Sequence, residues 1–483
     1  MVYDTIVIGN DLSSFIAAVS SAHRGRKTVL LSEEGLPDWH QVSGYTFNVD
    51  PMPLAGFGPD QTGSRFLTDY GIRLSDDPNV HRLNPAFQMI LPDHRIDFFH
   101  DIHEVVEELA KEFINERIDT QELYISLSKI SDAIYALLKE NPYILPVNYK
   151  RFVMLLRNIP DILKIKLSWV KMHRMLQKNP SLKKIFEATF NWMSNLHING
   201  NHSFSMMSPY ILSLPQRGLY YHSGGKGSLM EALRSKFVAC GGVWIKEGLI
   251  VGMALKDEIN IEIKTCEERL ALRGKSLIVS ITSGSLDLLL GNRKFRRLDR
   301  RLKKVYARYY PFTLHMGVHN KVIPEKTAPY VVIMVEENSG VMDNDAVYVE
   351  ISAQDDIRKA PAGKRTLSAT VFLKDSPMCF SVQELEERAR MIIKHLETFL
   401  PFLKENIDYL DVEASINLSR RYQKMVNQKY QIRGDVLFGI NTLSGRTPMK
   451  NVYLTGGMLL AGLGFEGEIL SGMHAAFSTI TGE

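Results

Sequence analysis

The chain has 483 residues, 45% of them apolar and 23% charged, with a formal net charge of +4. That length allows two or three cored domains, and the small charge excess gives no argument for nucleic acid. Three widely spaced cysteines, Cys240, Cys266 and Cys379, suggest neither a disulfide framework nor a zinc site.

Met1-Val2-Tyr3-Asp4 runs straight into an apolar strand pattern, Thr5–Ile8, without the n- and h-regions of a signal peptide. No apolar run approaches the roughly 20 residues of a membrane span. The expectation is a cytoplasmic protein, soluble or held at a membrane surface.

The opening reads β-α-β. Thr5–Ile8 is followed by Gly9-Asn10-Asp11-Leu12-Ser13-Ser14, then a helical pattern to Arg24, then a strand over Lys27–Ser32. Strand, tight turn and helix are the setting in which G-x-G-x-x-G holds a dinucleotide. Here Gly9 keeps the turn, but Asp11 and Ser14 replace the second and third glycines. A carboxylate about 4 Å from a phosphate charge costs roughly 4 kcal/mol at an effective dielectric of about 20. The other reading of the same residues is a helix cap, with Asp11 or Asn10 accepting from the first turn of the Leu12–Arg24 helix.

Further along, Leu83–Phe99 reads as paired strands around Pro92-Asp93-His94, and Asp101 as the cap of a helix. A mostly helical stretch follows to about Phe186, broken at Pro142, Pro146, Pro160 and Pro180. Gly224-Gly225-Lys226-Gly227 opens a helix over Ser228–Val238. It lacks the first glycine and the Ser/Thr of a triphosphate loop. Strands are expected at Val243–Lys246, Leu249–Leu255, Ile259–Lys264 and Ser276–Ile281.

A basic run spans Arg293–Arg308. Phe295, Leu298, Leu302 and Val305 fall on one helical face within it. Two readings stand: a solvated charged face over ordinary core, or a peripheral contact with anionic lipid. Lys150–Lys184 is a second basic region of the same kind. Strands recur at Phe312–Val318, Tyr330–Val335, Ala346–Ile351 and Thr366–Leu373. The helix Val382–Phe399 follows. The tail returns to glycine at Asn451–Gly457 and at Gly462, Gly464 and Gly467, ahead of a last helix from Glu468. The histidines give no ligand set, so no metal is expected. Met154, Met172, Met175, Trp192, Met193, Met206 and Met207 read as core or as the lining of an apolar pocket.

Tyr3–Glu34, Tyr220–Leu229, Leu314–Val318, Ala360–Lys364 and Asn451–Ala476, in this order and spacing, resemble the phytoene desaturase-like flavoproteins of the amine-oxidase and Rab GDP-dissociation-inhibitor superfamily. The resemblance covers nearly the whole chain. It implies an α/β fold with a discontinuous Rossmann-like FAD-binding domain, from residues 1–75, 215–292 and 425–483. A second mixed-sheet substrate domain would come from 76–214 and 293–424, with a helical cap over 100–214.

The resemblance also implies FAD as cofactor and a long apolar, isoprenoid- or carotenoid-like substrate, desaturated, saturated or isomerised by hydride transfer with the flavin. Carried over by position, Gly9, Asp11, Leu12, Ser13 and Ser14 would face the pyrophosphate. Ser32 or Glu33 would face the ribose, and Ile250 the adenine. Gly456, Gly457, Gly467, Glu468 and Ile469 would follow the ribityl chain and the flavin edge. No catalytic acid or base can be named. The same superfamily implies an alternative, a non-enzymatic, flavin-free prenyl/lipid- or protein-binding member of the fold, because Rab GDP-dissociation inhibitors work without flavin, and Phe47-Asn48-Val49-Asp50 is similar to them.

Overall fold

The computed structural model describes residues 2–481 apart from 35–36, 60, 73–76, 78, 114–116, 141–159, 161–166, 168–169, 171, 198–207, 267, 336–341, 343–345, 424–425, 427 and 433–444. Met154, Met206, Met207 and most of the basic region 150–184 therefore lie outside the described residues. So do Asn199, Asn201 and His202.

The first strand, Val2–Ile8, is buried along its second half. It pairs in parallel with Thr28–Ser32 on one side and with Arg269–Ser280 on the other. Val243–Lys246 extends the sheet beyond Thr28–Ser32, and Val452–Thr455 pairs in parallel with Arg269–Ser280. The hairpin Leu249–Leu255 and Ile259–Lys264 completes a seven-stranded sheet. One sheet thus gathers strands from the beginning, middle and end of the chain. The β-branched runs Ile6-Val7-Ile8 and Thr28-Val29-Leu30-Leu31 are wholly buried, as a parallel sheet covered on both faces requires.

The first helix, Leu12–His23, is buried from Leu12 to Ala22. Its small residues allow close approach to the last helix, Gly464–Thr481. A Cβ at Gly472 would stand 2.3 Å from Ser13 O, so only glycine fits that crossing.

An eight-stranded mixed sheet forms a second layer. Its order is Ile407–Leu410, Val305–His319, Lys364–Leu373, Ala346–Ile351, Tyr330–Met334, Phe87–Ile90 and Arg95–Phe98, with Lys429–Ile432 also on the long strand. The helix Val382–Phe399, closed by a capping box of Ser381 and Glu384, lies against it through Leu385, Ala389, Ile392 and Leu396.

Three expectations shift. The basic run is not one helix over 293–308. A short 3-10 turn, Arg293–Phe295, precedes a helix at Arg296–Leu302, and the chain is already in a strand at Val305. Val305 leaves the helix because it pairs with Ile432. Phe295, Leu298, Leu302 and Val305 are nevertheless all buried. The helix expected from Ser228 starts at Gly225, which puts Lys226 in its first turn. The last helix starts at Gly464 rather than Glu468, which places Glu468 within it. Among the described residues no helix is long and apolar enough to cross a membrane.

Candidate functional site

The site is the turn at the C-terminal end of the first strand, where open α/β sheets place their ligands. Gly9 has φ +150°, and a Cβ there would meet Ser14 Oγ at 2.2 Å and Ser280 Cβ at 2.7 Å. No side chain could be carried at this position.

Asp11 occupies its centre. One carboxylate oxygen accepts from Ser14 N at 2.9 Å, Ser14 Oγ at 2.6 Å and Ser13 Oγ at 2.8 Å. The other accepts from Ser280 Oγ at 2.5 Å and Thr282 Oγ1 at 3.2 Å. Asp11 is thus the N-cap of the first helix and binds the end of a distant strand as well. A helix N-terminus attracts an anion through its free N–H groups and its dipole. Here the protein supplies that anion itself.

Glu33, expected at the ribose, is engaged in the same way. Glu33 accepts from Ser283 Oγ, from Ser285 Oγ and, at 3.3 Å, from Ser285 N. Ser32 Oγ accepts from Trp244 Nε1 at 3.0 Å. A cleft of about 270 Å³ does remain beside Glu33, bounded by Asn10, Glu34, Thr282, Arg421 and Gln423.

Beyond Asp11, toward the last helix, Lys226 lies between two carboxylates. Its Nζ is 3.4 Å from Asp50 Oδ2 and 3.0 Å from Glu468 Oε2, and all three side chains are about 15% exposed. Burial pulls the ammonium down, but Glu468 and Asp50 outweigh it, and Lys226 titrates above its ordinary range. Burial pushes Glu468 up, against the pull of Lys226. Next to this triad a second chain of polar groups crosses to the other sheet. Lys359 Nζ donates to Asn48 Oδ1 at 2.7 Å, and Asn48 Nδ2 donates to Glu350 Oε1 at 2.6 Å.

The remaining residues of interest have structural settings. Gly456 N donates to Ser471 Oγ, while Gly457 faces Asn195 and Glu468. Ile469 and Leu12 are in one hydrophobic core, and a Cβ at Gly467 would meet Leu460 O at 2.3 Å. Ile250 is buried in hairpin register with Ile263, away from the residues that bound these clefts. Gly9, Asp11, Ser13, Ser14 and Glu33 do come together at one turn. Gly457 and Glu468 meet farther along, at Lys226. Because Glu468 is inside the last helix, it is not the helix start that would aim free N–H groups at a flavin. His222 bonds Asp77 and accepts from Gly224 N, a structural role. Among the described residues no cluster of histidine, cysteine or carboxylate could hold a metal.

No family model matches the chain. Prolycopene isomerase 2, chloroplastic, of an Oncidium hybrid cultivar is 23% identical over 438 residues, covering 84% of this chain and 71% of that protein. The chloroplastic prolycopene isomerase of Arabidopsis thaliana is 20% identical over 442 residues, covering 85% and 71%. Among solved structures, a triple mutant of putrescine oxidase superimposes with a TM-score of 0.64 at 13% identity, over 99% of both chains. Rab GDI from Plasmodium falciparum does so with a TM-score of 0.52 at 11% identity, over 100% of this chain and 98% of that one. The chain has the amine-oxidase and Rab GDI fold, with weak homology to carotenoid isomerases. These likenesses support a flavin-oxidoreductase affiliation in general.

Two voids, of about 50 Å³ and about 30 Å³, lie along the line from Asp11 past Lys226 to Glu468. For scale, an engineered apolar cavity of about 150 Å³ holds one benzene. The 270 Å³ cleft leaves room at the adenosine end, but its carboxylate, Glu33, is engaged. Asp11 stands, with both carboxylate oxygens engaged, where the resemblance puts the pyrophosphate, and Lys226 pairs with Asp50 and Glu468 beside Gly457, where it puts the ribityl chain and flavin edge. The residues present do not fit FAD.

Proposed function

We propose that this chain is a flavin-free member of the flavin-oxidoreductase fold, which binds a long apolar ligand without redox chemistry of its own. The observation that carries the reading is the Asp11 carboxylate, held by five hydrogen bonds where a cofactor's pyrophosphate would sit. The Lys226 triad supports it, since an ion pair stands where the resemblance puts the ribityl chain and flavin edge. Under this reading the segments 1–75, 215–292 and 425–483 form the nucleotide-fold domain, kept as scaffold. The remainder, with its cap over 100–214, carries the ligand. The apolar ligand class rests on the relatives, named for prolycopene, a polyene hydrocarbon, and on the Rab GDI likeness.

The second reading is a flavin-dependent oxidoreductase acting on an isoprenoid- or carotenoid-like substrate. The prolycopene isomerase homologues and the oxidoreductase neighbours favour it. It requires Asp11 and Lys226 to be displaced together.

The two are separated by mixing the purified protein with a detergent-dispersed polyene and following polyene absorbance through gel filtration, with and without FAD. The flavin-free reading expects co-elution of unchanged polyene in both cases. Conversion of the polyene only when FAD is present contradicts it.

A further inference from the structure

Away from the turn at Asp11, four helices line an open cleft of about 270 Å³. They are Leu12–His23, Thr62–Asp69, Arg117–Glu140 and Gly464–Thr481. We infer that this cleft is a binding site for a single-chain amphiphile, with its apolar body between the helices and its anionic head against Arg24 and Arg65.

The interior is apolar and aromatic. Phe66 and Tyr70 are buried, and Tyr135, Met473 and Phe477 complete the walls. Phe477 is 47% exposed although it sits at the mouth of a cleft that would cover it. The mouth is cationic: Arg24 lies 5.6 Å above the Phe477 ring, and Arg65 projects from the opposite helix. Neither arginine has an ion-pair partner among the described residues. Asp69 and His474 are the other titratable groups that line the cleft besides its two tyrosines. One acid against two guanidinium groups leaves the mouth positive.

Arginine suits the head because its planar fork takes carboxylate or phosphate oxygens in pairs. The cleft is near the lower end of the size range of ligand pockets, about 300–1,000 Å³, which fits one chain rather than two.

Titration calorimetry with laurate, below its micelle concentration, tests the site, with dodecanol as the uncharged control. The expected result is one laurate per chain and dodecanol at least about tenfold weaker. Arg65→Ala and Arg24→Gln should each weaken laurate about tenfold, the effect of losing one charge-assisted hydrogen bond, and leave dodecanol unchanged. Both arginines are exposed, so these variants keep the fold, and far-UV circular dichroism checks that they do. Absence of saturable laurate binding overturns the proposal. So does dodecanol binding equal to laurate, or full laurate affinity in both variants. Because the cleft is separate from the turn, this outcome is independent of whether the protein binds FAD.

Discussion

Asp11 and Ser280 are 269 residues apart in sequence, yet their side chains meet at 2.5 Å. The bond ties the turn after the first strand to the end of the strand Arg269–Ser280, across the position where this fold places a phosphate. The groups that would have bound a ligand's anion instead bind one another.

Asp11→Ala removes a helix cap and leaves Ser14, Ser280 and Thr282 without their acceptor. A cap is worth about 1 kcal/mol, and hydrogen bonds to a charged group about 1.5–3 kcal/mol each, part of which water recovers at this half-buried site. The variant should lose about 2–4 kcal/mol in urea unfolding. A loss under about 0.5 kcal/mol would show that the network carries no stability.

Lys226→Met leaves Asp50 and Glu468 facing one another with no counter-charge. Removing one partner of a buried ion pair costs about 3–5 kcal/mol. Burial already holds Glu468 above its ordinary range. Its protonation at low pH relieves part of the repulsion, so the loss should be larger at pH 8 than at pH 5. Equal losses at the two pH values would show that Glu468 is not the group left unpaired.

Glu466 gives a pH dependence of definite sign. Its carboxyl is 1% exposed and accepts from Thr62 N at 3.2 Å. Burial pushes it from 4.5 up to about 7, outweighing that hydrogen bond. Between those values the native state holds a proton that the unfolded chain has released. Stability from this group is therefore complete below about pH 4.5 and lost as pH rises through 7, by up to about 3 kcal/mol. Glu466→Gln should match the native protein at pH 4 and exceed it at pH 8. Parallel stability curves for the two proteins would contradict this.

Gly9→Ala should be among the most damaging single changes in the first domain. The φ of +150° is unfavourable for alanine, and the new methyl would meet Ser14 Oγ and Ser280 Cβ. Strain and overpacking together suggest about 2–5 kcal/mol. Adding Ser14→Ala should recover the part due to Ser14 Oγ and leave the backbone strain and the contact with Ser280 Cβ. No recovery in the double variant, measured by thermal unfolding, would show that the clash with Ser14 is not the cause.

Much of this was legible in the residues. The Thr5–Ile8 strand, the turn at Gly9 and the helix from Leu12 are where the apolar periodicity puts them, and Asp11 as helix cap was one of two readings of its side chain. The hairpin strands Leu249–Leu255 and Ile259–Lys264 and the helix Val382–Phe399 match to the residue. What sequence spacing does not carry is long-range pairing. Nothing near Asp11 announces Ser280 and Thr282, and Lys226 finds Asp50 and Glu468 from 176 and 242 positions away. The signal that was present and not used is chemical: Asp50, Lys226 and Glu468 are charged residues inside or beside apolar, glycine-rich runs, where each needs a partner. The basic run misled because a helical period persists through Phe295, Leu298, Leu302 and Val305 although strand pairing has already claimed the last of them.

The most direct test of the central claim is the flavin content of the purified protein, read by visible absorbance, followed by titration with FAD monitored through its own fluorescence. The account predicts a colourless protein and no saturable quenching, with quenching gained only when Asp11→Gly and Lys226→Met are combined. A native protein carrying one FAD per chain would contradict it.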